Sequence, residues 1–225
     1  MSLKNILIPV FSVLLVSTSF AAAPPLQVST HSYSVYLKDK KVGDVTQTLR
    51  LQGDHYAFTS VTHTDVWFYH DTITEMSVGD VIASQFQFAH FKKWDGHGDQ
   101  KVVLNADWTD TQVQMQDEKG TRSSDFTPPL YDHLNYQLQL AWDAMSHLKQ
   151  FYYSVLTENG LEKLTFDRLG TEELMVEKKP VKTVKFCDQS DKNGLQLCLW
   201  YQGLTLVQSA QIKNGKMVEH AVLNT

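Results

Sequence analysis

Along most of the chain, apolar residues recur at every second position. The stretches 31–37, 42–51, 55–69, 72–78, 81–91, 101–108 and 111–117 alternate Val, Thr, Tyr or Phe with polar residues, the period of a half-buried strand. Turn formers punctuate them: Gly53-Asp54, Gly79-Asp80, the run from Asp95 to Asp99, Thr109-Asp110, and Glu118 to Gly120. Strands joined by short turns predict an antiparallel meander. They lack the βαβ alternation that builds a nucleotide crevice at a parallel sheet.

One segment departs from the period of two. Leu130, Leu134, Leu138, Ala141, Trp142 and Met145 recur at three- and four-residue steps behind Pro128-Pro129, which predicts a helix over about 130–147. Strand patterns resume at 150–158, 161–174, 181–187, 195–200, 205–213 and 217–223, with Asn159-Gly160 and Asn214-Gly215 as turns. About a dozen strands are too many for a flat sheet, because strand twist makes wide sheets coil or close. The expected fold class is therefore mainly β: a strongly curved antiparallel sheet or partly closed β-barrel with one central α-helix on its concave side. No low-complexity linker divides residues 22–225, so they are expected to form a single β-rich domain with a weak waist near 120–130.

The first residues add a compartment. Lys4 supplies a cationic start, Ile6 to Phe20 is mostly apolar, and Ser19-Phe20-Ala21 places small residues where a signal peptidase reads them. Residues 1–21 are expected to be a signal peptide cleaved after Ala21, since a cut after Ala23 would put Pro24 directly beyond the scissile bond. The apolar run is short for a bilayer span, and no later segment is apolar enough to cross a membrane. The mature chain is expected in the periplasm.

Charge narrows the partners. The chain carries 20 Lys and Arg against 25 Asp and Glu; losing Lys4 with the leader leaves 19 against 25, or −6. There is no basic stripe for nucleic acid.

The only two cysteines, Cys187 and Cys198, flank Asp191-Lys192-Asn193-Gly194 between two alternating stretches. With Lys192-Asn193 as the loop, Cys187 lies opposite Cys198, and Phe186 and Leu199 share the other face. A three-residue loop with a bulge at Gly194 would instead send the sulfurs to opposite faces. The first register predicts a disulfide in an oxidising compartment. An eleven-residue separation across a hairpin lacks the helix N-terminus that tunes redox pairs.

Candidate chemistry is sparse. His63, Asp65, His70 and Asp71 lie close in sequence, but no helix-borne His pair or cysteine cluster completes a zinc set, so they are read as polar strand-end residues. Asp95-Gly96-His97-Gly98-Asp99 lacks the repeated oxygen donors and terminal Glu of a calcium loop. There is no Gly-x-Ser-x-Gly elbow, and no cofactor motif is present. The sequence names no reaction and leans away from an enzyme.

The second half carries a family resemblance. Asp132-His133-Leu134-Asn135-Tyr136-Gln137-Leu138-Gln139-Leu140, Phe166 to Gly170 with Glu172 and Leu174, Thr183-Val184-Lys185, Leu199-Trp200 and Ile212 resemble, in order and spacing, the bacterial envelope family called domain of unknown function 3108. The likeness runs from about residue 129 to the end. It departs where relatives have a Pro-x-Gly turn and this chain has Glu177-Lys178-Lys179-Pro180. The resemblance implies a secreted, largely periplasmic protein with an antiparallel barrel-like fold, and it brings no catalytic residues. The cysteine pair is an addition of this chain.

Aromatic residues supply the remaining signal. Trp67, Tyr69, Phe86, Phe88 and Trp94 cluster in the first meander, and Trp142 lies on the helical segment. They are read either as core beneath the sheet or as the lining of an apolar cavity between sheet and helix. Two functions follow: a non-enzymatic envelope protein that takes a lipid or other hydrophobic small molecule into its concave face, or a module whose exposed sheet edges pair with an envelope protein.

Overall fold

A computed structural model of the protein describes residues 26–66, 69–96, 98–189 and 194–224. The expected leader and the cysteine hairpin's turn lie outside these residues. The first meander comprises β1 (Gln27–Leu37), β2 (Lys40–Gln52), β3 (His55–Val66), β4 (Tyr69–Ile82), β5 (Gln85–Asp95), β6 (Gln100–Asp107), β7 (Gln112–Asp117) and β8 (Gly120–Asp125). A two-residue strand, β9 (Tyr131–Asp132), leads into helix α1 (Tyr136–Asp143). The second meander comprises β10 (Gln150–Thr157), β11 (Gly160–Val176), β12 (Lys179–Asp188), β13 (Leu195–Gln202), β14 (Thr205–Lys213) and β15 (Lys216–Asn224).

The fifteen strands of the described residues form one sheet, ordered β8-β7-β6-β5-β4-β3-β2-β1-β15-β14-β13-β12-β11-β10-β9. The first and last strands meet in its middle, with Ser32 opposite Asn224 and Leu37 opposite Glu219. Every neighbouring pair is antiparallel except β9 with β10. The sheet does not close. It winds back on itself, so that Glu158 at the β10–β11 turn takes Lys93 of β5 at 3.3 Å, and its carbonyl accepts from Arg122 of β8 at 3.2 Å.

Two glycines permit tight strand approach. A Cβ on Gly79 would lie 2.0 Å from the Gln87 carbonyl oxygen, and one on Gly43 would lie 2.1 Å from that of His63. Gly79 adjoins a bulge, where Gly79 faces Phe88 and Val78 faces His90, leaving Ala89 over. The extra residue puts Phe91 on the same inner face as Phe86 and Phe88, and all three are buried. The turn expected at Gly79-Asp80 therefore falls later, at Ala83-Ser84, both with positive φ (49° and 67°).

The helix is also shorter than the apolar spacing suggests. Leu130 and Leu134 are buried at 1%, but Tyr131 and Asp132 between them pair as a strand with Val155 and Leu156. The Asp132 carboxylate then accepts the amides of Leu134 (2.8 Å) and Asn135 (2.7 Å), an Asx turn that holds the chain out of helix until Tyr136. The stretch near 120–130 holds β8, all of whose residues are exposed, followed by buried Phe126.

The core divides around this segment. One cluster packs Tyr56, Phe58, Phe86, Phe88, Phe91, Val102 and Leu104 against Leu130, Leu134, Leu138 and Leu156. The other packs Tyr136, Leu140 and Ala141 against Phe151, Tyr153, Phe166, Phe186, Leu199 and Tyr201. Opposite faces of one short segment thus fill both halves of the concave side. On the convex side, Cys187 and Cys198 form the expected disulfide in the expected register, Cα atoms 4.1 Å apart, within a third cluster with Trp200 and Ala210.

Candidate functional site

The candidate site is an apolar cavity of about 310 Å³ on the concave side. Its floor is the inner face of β1, β2 and β3. Strand register places Ser29 opposite Leu49, Leu49 opposite Phe58, and His31 opposite Gln47. Leu138 of α1 covers it, and Leu204 and Leu206 near the β13–β14 turn close one side. Val28 and Leu204, each about half exposed, form its rim, whereas Tyr33 and Tyr201 are 2% exposed. The volume lies at the lower end of the range for small-molecule pockets.

The polar groups differ in how they are engaged. The Tyr201 hydroxyl donates to the Gln137 carbonyl oxygen at 3.2 Å. Tyr33 lines the cavity, and its hydroxyl makes no side-chain hydrogen bond among the described residues. Burial pushes its titration well above the ordinary tyrosine value, so it stays protonated and able to donate.

A buried polar network holds the cover in place. Ser77 Oγ donates to Asp132 Oδ2 at 2.5 Å; Asn135 Nδ2 donates to the Tyr56 hydroxyl at 2.9 Å and to the Phe86 carbonyl at 3.0 Å. Gln139 Oε1 accepts the Phe86 amide at 3.0 Å. Asn135 stands at the N-cap of α1 but makes no side-chain cap bond, because its Oδ1 accepts the Asp132 backbone N–H at 2.8 Å. Burial pushes the Asp132 carboxyl up to about 6, against the lowering influence of its hydrogen bonds from Ser77, Asn135 and Leu134. Asp132 and Asn135 are fully enclosed, so this network positions α1 and presents no group to a ligand.

The aromatic residues singled out in the sequence are distributed as follows. Phe86 and Phe88 are packed in the first core cluster at 4% and 0% exposure. Trp142 makes an edge-to-face contact with Phe86, 6.4 Å between ring centroids, and is 36% exposed. Trp94 is half-buried in β5, opposite Thr74. Tyr69 begins β4, and Trp67 lies outside the described residues. Phe86, Phe88, Trp94 and Trp142 do not line the 310 Å³ cavity. Its lining residues Tyr33, Leu49, Leu138 and Leu206 come from three separate parts of the chain; the in-phase inner residues of β1 and β2 were the one local signal for them.

His63, Asp65, His70, Asp71 and Thr72 border a shallow recess, in which His63 Nδ1 meets Thr72 Oγ1 at 2.9 Å and His70 Nδ1 meets Asp65 at 3.0 Å. Among the described residues, no three His, Cys, Asp or Glu side chains converge to hold a metal ion. No helix among them is long and apolar enough to cross a membrane.

The architecture is that of a β-barrel-like protein whose sheet stays open. Among solved structures the chain is similar to a beta-barrel-like protein of domain of unknown function DUF1849 from Brucella abortus, with a TM-score of 0.53 and 9% sequence identity, over 87% of this chain and 94% of that one. At that identity the likeness concerns the fold alone. No family model matches the chain, and no curated protein matches it.

Proposed function

We propose that this is a non-enzymatic periplasmic envelope protein, exported through a cleaved leader, that binds a lipid or other hydrophobic molecule in the concave face of its sheet. The observation that carries the reading is the cavity between β1–β3 and α1, where Leu49, Leu51, Phe58, Leu138 and Leu206 line space large enough for a small apolar ligand. The leader expected at residues 1–21, the disulfide, and the resemblance to domain of unknown function 3108 support an oxidising envelope compartment.

Protein purified from periplasm and extracted with organic solvent is expected to release a hydrophobic molecule near one per chain. An empty extract from well-folded material would contradict the reading.

A second reading rests on the open sheet edges. Among the described residues β8 has no strand beyond it and is exposed throughout, and β9 covers β10 only at Val155 and Leu156, beside exposed Tyr152 and Leu161. Such edges accept added strands. Capture of an envelope protein that survives delipidation and is lost on Ser123→Pro would favour this reading; capture unaffected by the proline would sink it.

A further inference from the structure

We propose that the molecule taken into the concave cavity is an amphiphile with an uncharged polar group, held tail toward Leu49 and Phe58 and polar group toward Tyr33, His31 and Gln47. This deepens the ligand-binding reading above and rests on it.

The order of residues along the floor sets up this polarity. Inner positions of β1 and β2 pair as Gln27 with Leu51, Ser29 with Leu49, His31 with Gln47, and Tyr33 with Val45. Leu51 and Leu49 continue across to Tyr56 and Phe58 of β3, making one apolar end. His31, Gln47 and Tyr33 make an adjoining polar end. The polar end lies inside the site: Tyr33 is 2% exposed, whereas Gln27, Val28 and Ser29 toward the other end of β1 are exposed.

Charge then selects the head group. The described lining contains no Lys, Arg, Asp or Glu. A carboxylate or phosphate drawn in to the polar end would lose its water with no Lys or Arg to replace it. A hydroxyl, ester or amide faces no such penalty. The Tyr33 hydroxyl and the Gln47 amide make no side-chain hydrogen bonds among the described residues, and both are near the position such a group would occupy. A ligand oxygen that accepts from the Tyr33 hydroxyl adds a directional hydrogen bond to its apolar contacts.

The test uses the folded protein and an uncharged fluorescent dye, N-phenylnaphthylamine, displaced by n-decanol, methyl decanoate or decanoate at about pH 8, where the acid is ionised. The two neutral compounds are expected to displace the dye at concentrations at least about tenfold below decanoate. Decanoate binding as tightly as either would overturn the assignment of an uncharged head while leaving the cavity reading intact. Failure of the dye and of all three compounds to bind folded protein would overturn the cavity reading itself. Tyr33→Phe removes one hydroxyl and keeps the ring, so it is expected to weaken n-decanol about fivefold and leave the dye unchanged. Unchanged n-decanol affinity in both Tyr33→Phe and Gln47→Leu would refute the placement of the polar group.

Discussion

The two halves of the sheet are held by different means. In the first half, β2 to β7 pack one inner face against the segment from Leu130 to Leu138, and the polar anchor of that segment is the enclosed set Tyr56, Ser77, Asp132 and Asn135. In the second half, β10 to β14 pack an aromatic inner face against the other side of α1 and carry a second cluster with the disulfide on the convex face. Long-range polar bonds position the first half on the helical segment; a covalent link between neighbouring strands fastens part of the second. The same short segment serves both, so a fault in its anchor should spread further than a fault in the disulfide.

The largest effect is expected at that anchor. Asp132→Leu leaves the Leu134 and Asn135 amides and the Ser77 hydroxyl without their shared acceptor, all in an enclosed site. A loss of about 3–5 kcal/mol is expected in urea unfolding, with hydrogen exchange accelerated in both halves. Exchange confined to one half would show that the segment does not anchor both.

The same carboxyl gives the anchor a pH dependence. With its value raised to about 6 in the folded protein and about 3.9 when unfolded, Asp132 keeps its proton on folding over that window. Its contribution to stability is therefore present in full below about pH 4, falls as pH rises to about 6, and is constant above, a change of about 3 kcal/mol. Asp132→Asn, which cannot titrate, is expected to gain on the wild type by up to that amount between pH 4 and 7. A constant difference between the two proteins across the window would show that the carboxyl does not titrate there.

A smaller and more local effect is expected from Cys187→Ala with Cys198→Ala. The bridge closes a sequence separation of 11 residues and should contribute about 2–3 kcal/mol on the chain-entropy model. Exchange should rise in β12 and β13 and remain unchanged in β3 to β5. Equal acceleration in β3 to β5 would mean that the bridge supports the whole sheet.

Much of this division could be read from residue patterns, and the exceptions have physical causes. Alternation in β3 and β5 marks strands because one face is buried, whereas β13 is buried on both faces; the Phe186–Leu199 and Cys187–Cys198 pairs follow from a single register. β8, Gly-Thr-Arg-Ser-Ser-Asp, has no apolar side chain to alternate; pairing with β7 makes it a strand. The helix start is displaced because Leu130 and Leu134 keep helical spacing through an Asx turn centred on Asp132. The turn expected at Gly79 lies elsewhere because that glycine answers to a neighbouring strand's backbone. The cavity combines β1–β2, α1 and the β13–β14 turn, so its lining depends on sheet curvature that no local stretch encodes.

The proposed ligand site places hydrophobic molecules between β1–β3 and α1. Methyl-labelled NMR titrated with n-decanol tests it most directly. Shifts are expected to concentrate at Leu49, Leu51, Leu138, Leu204 and Leu206. Shifts centred instead on Leu161 and Leu164 beside the open edge of β10, or on Val102, Leu104 and Leu156 in the smaller recess near His133, would contradict it.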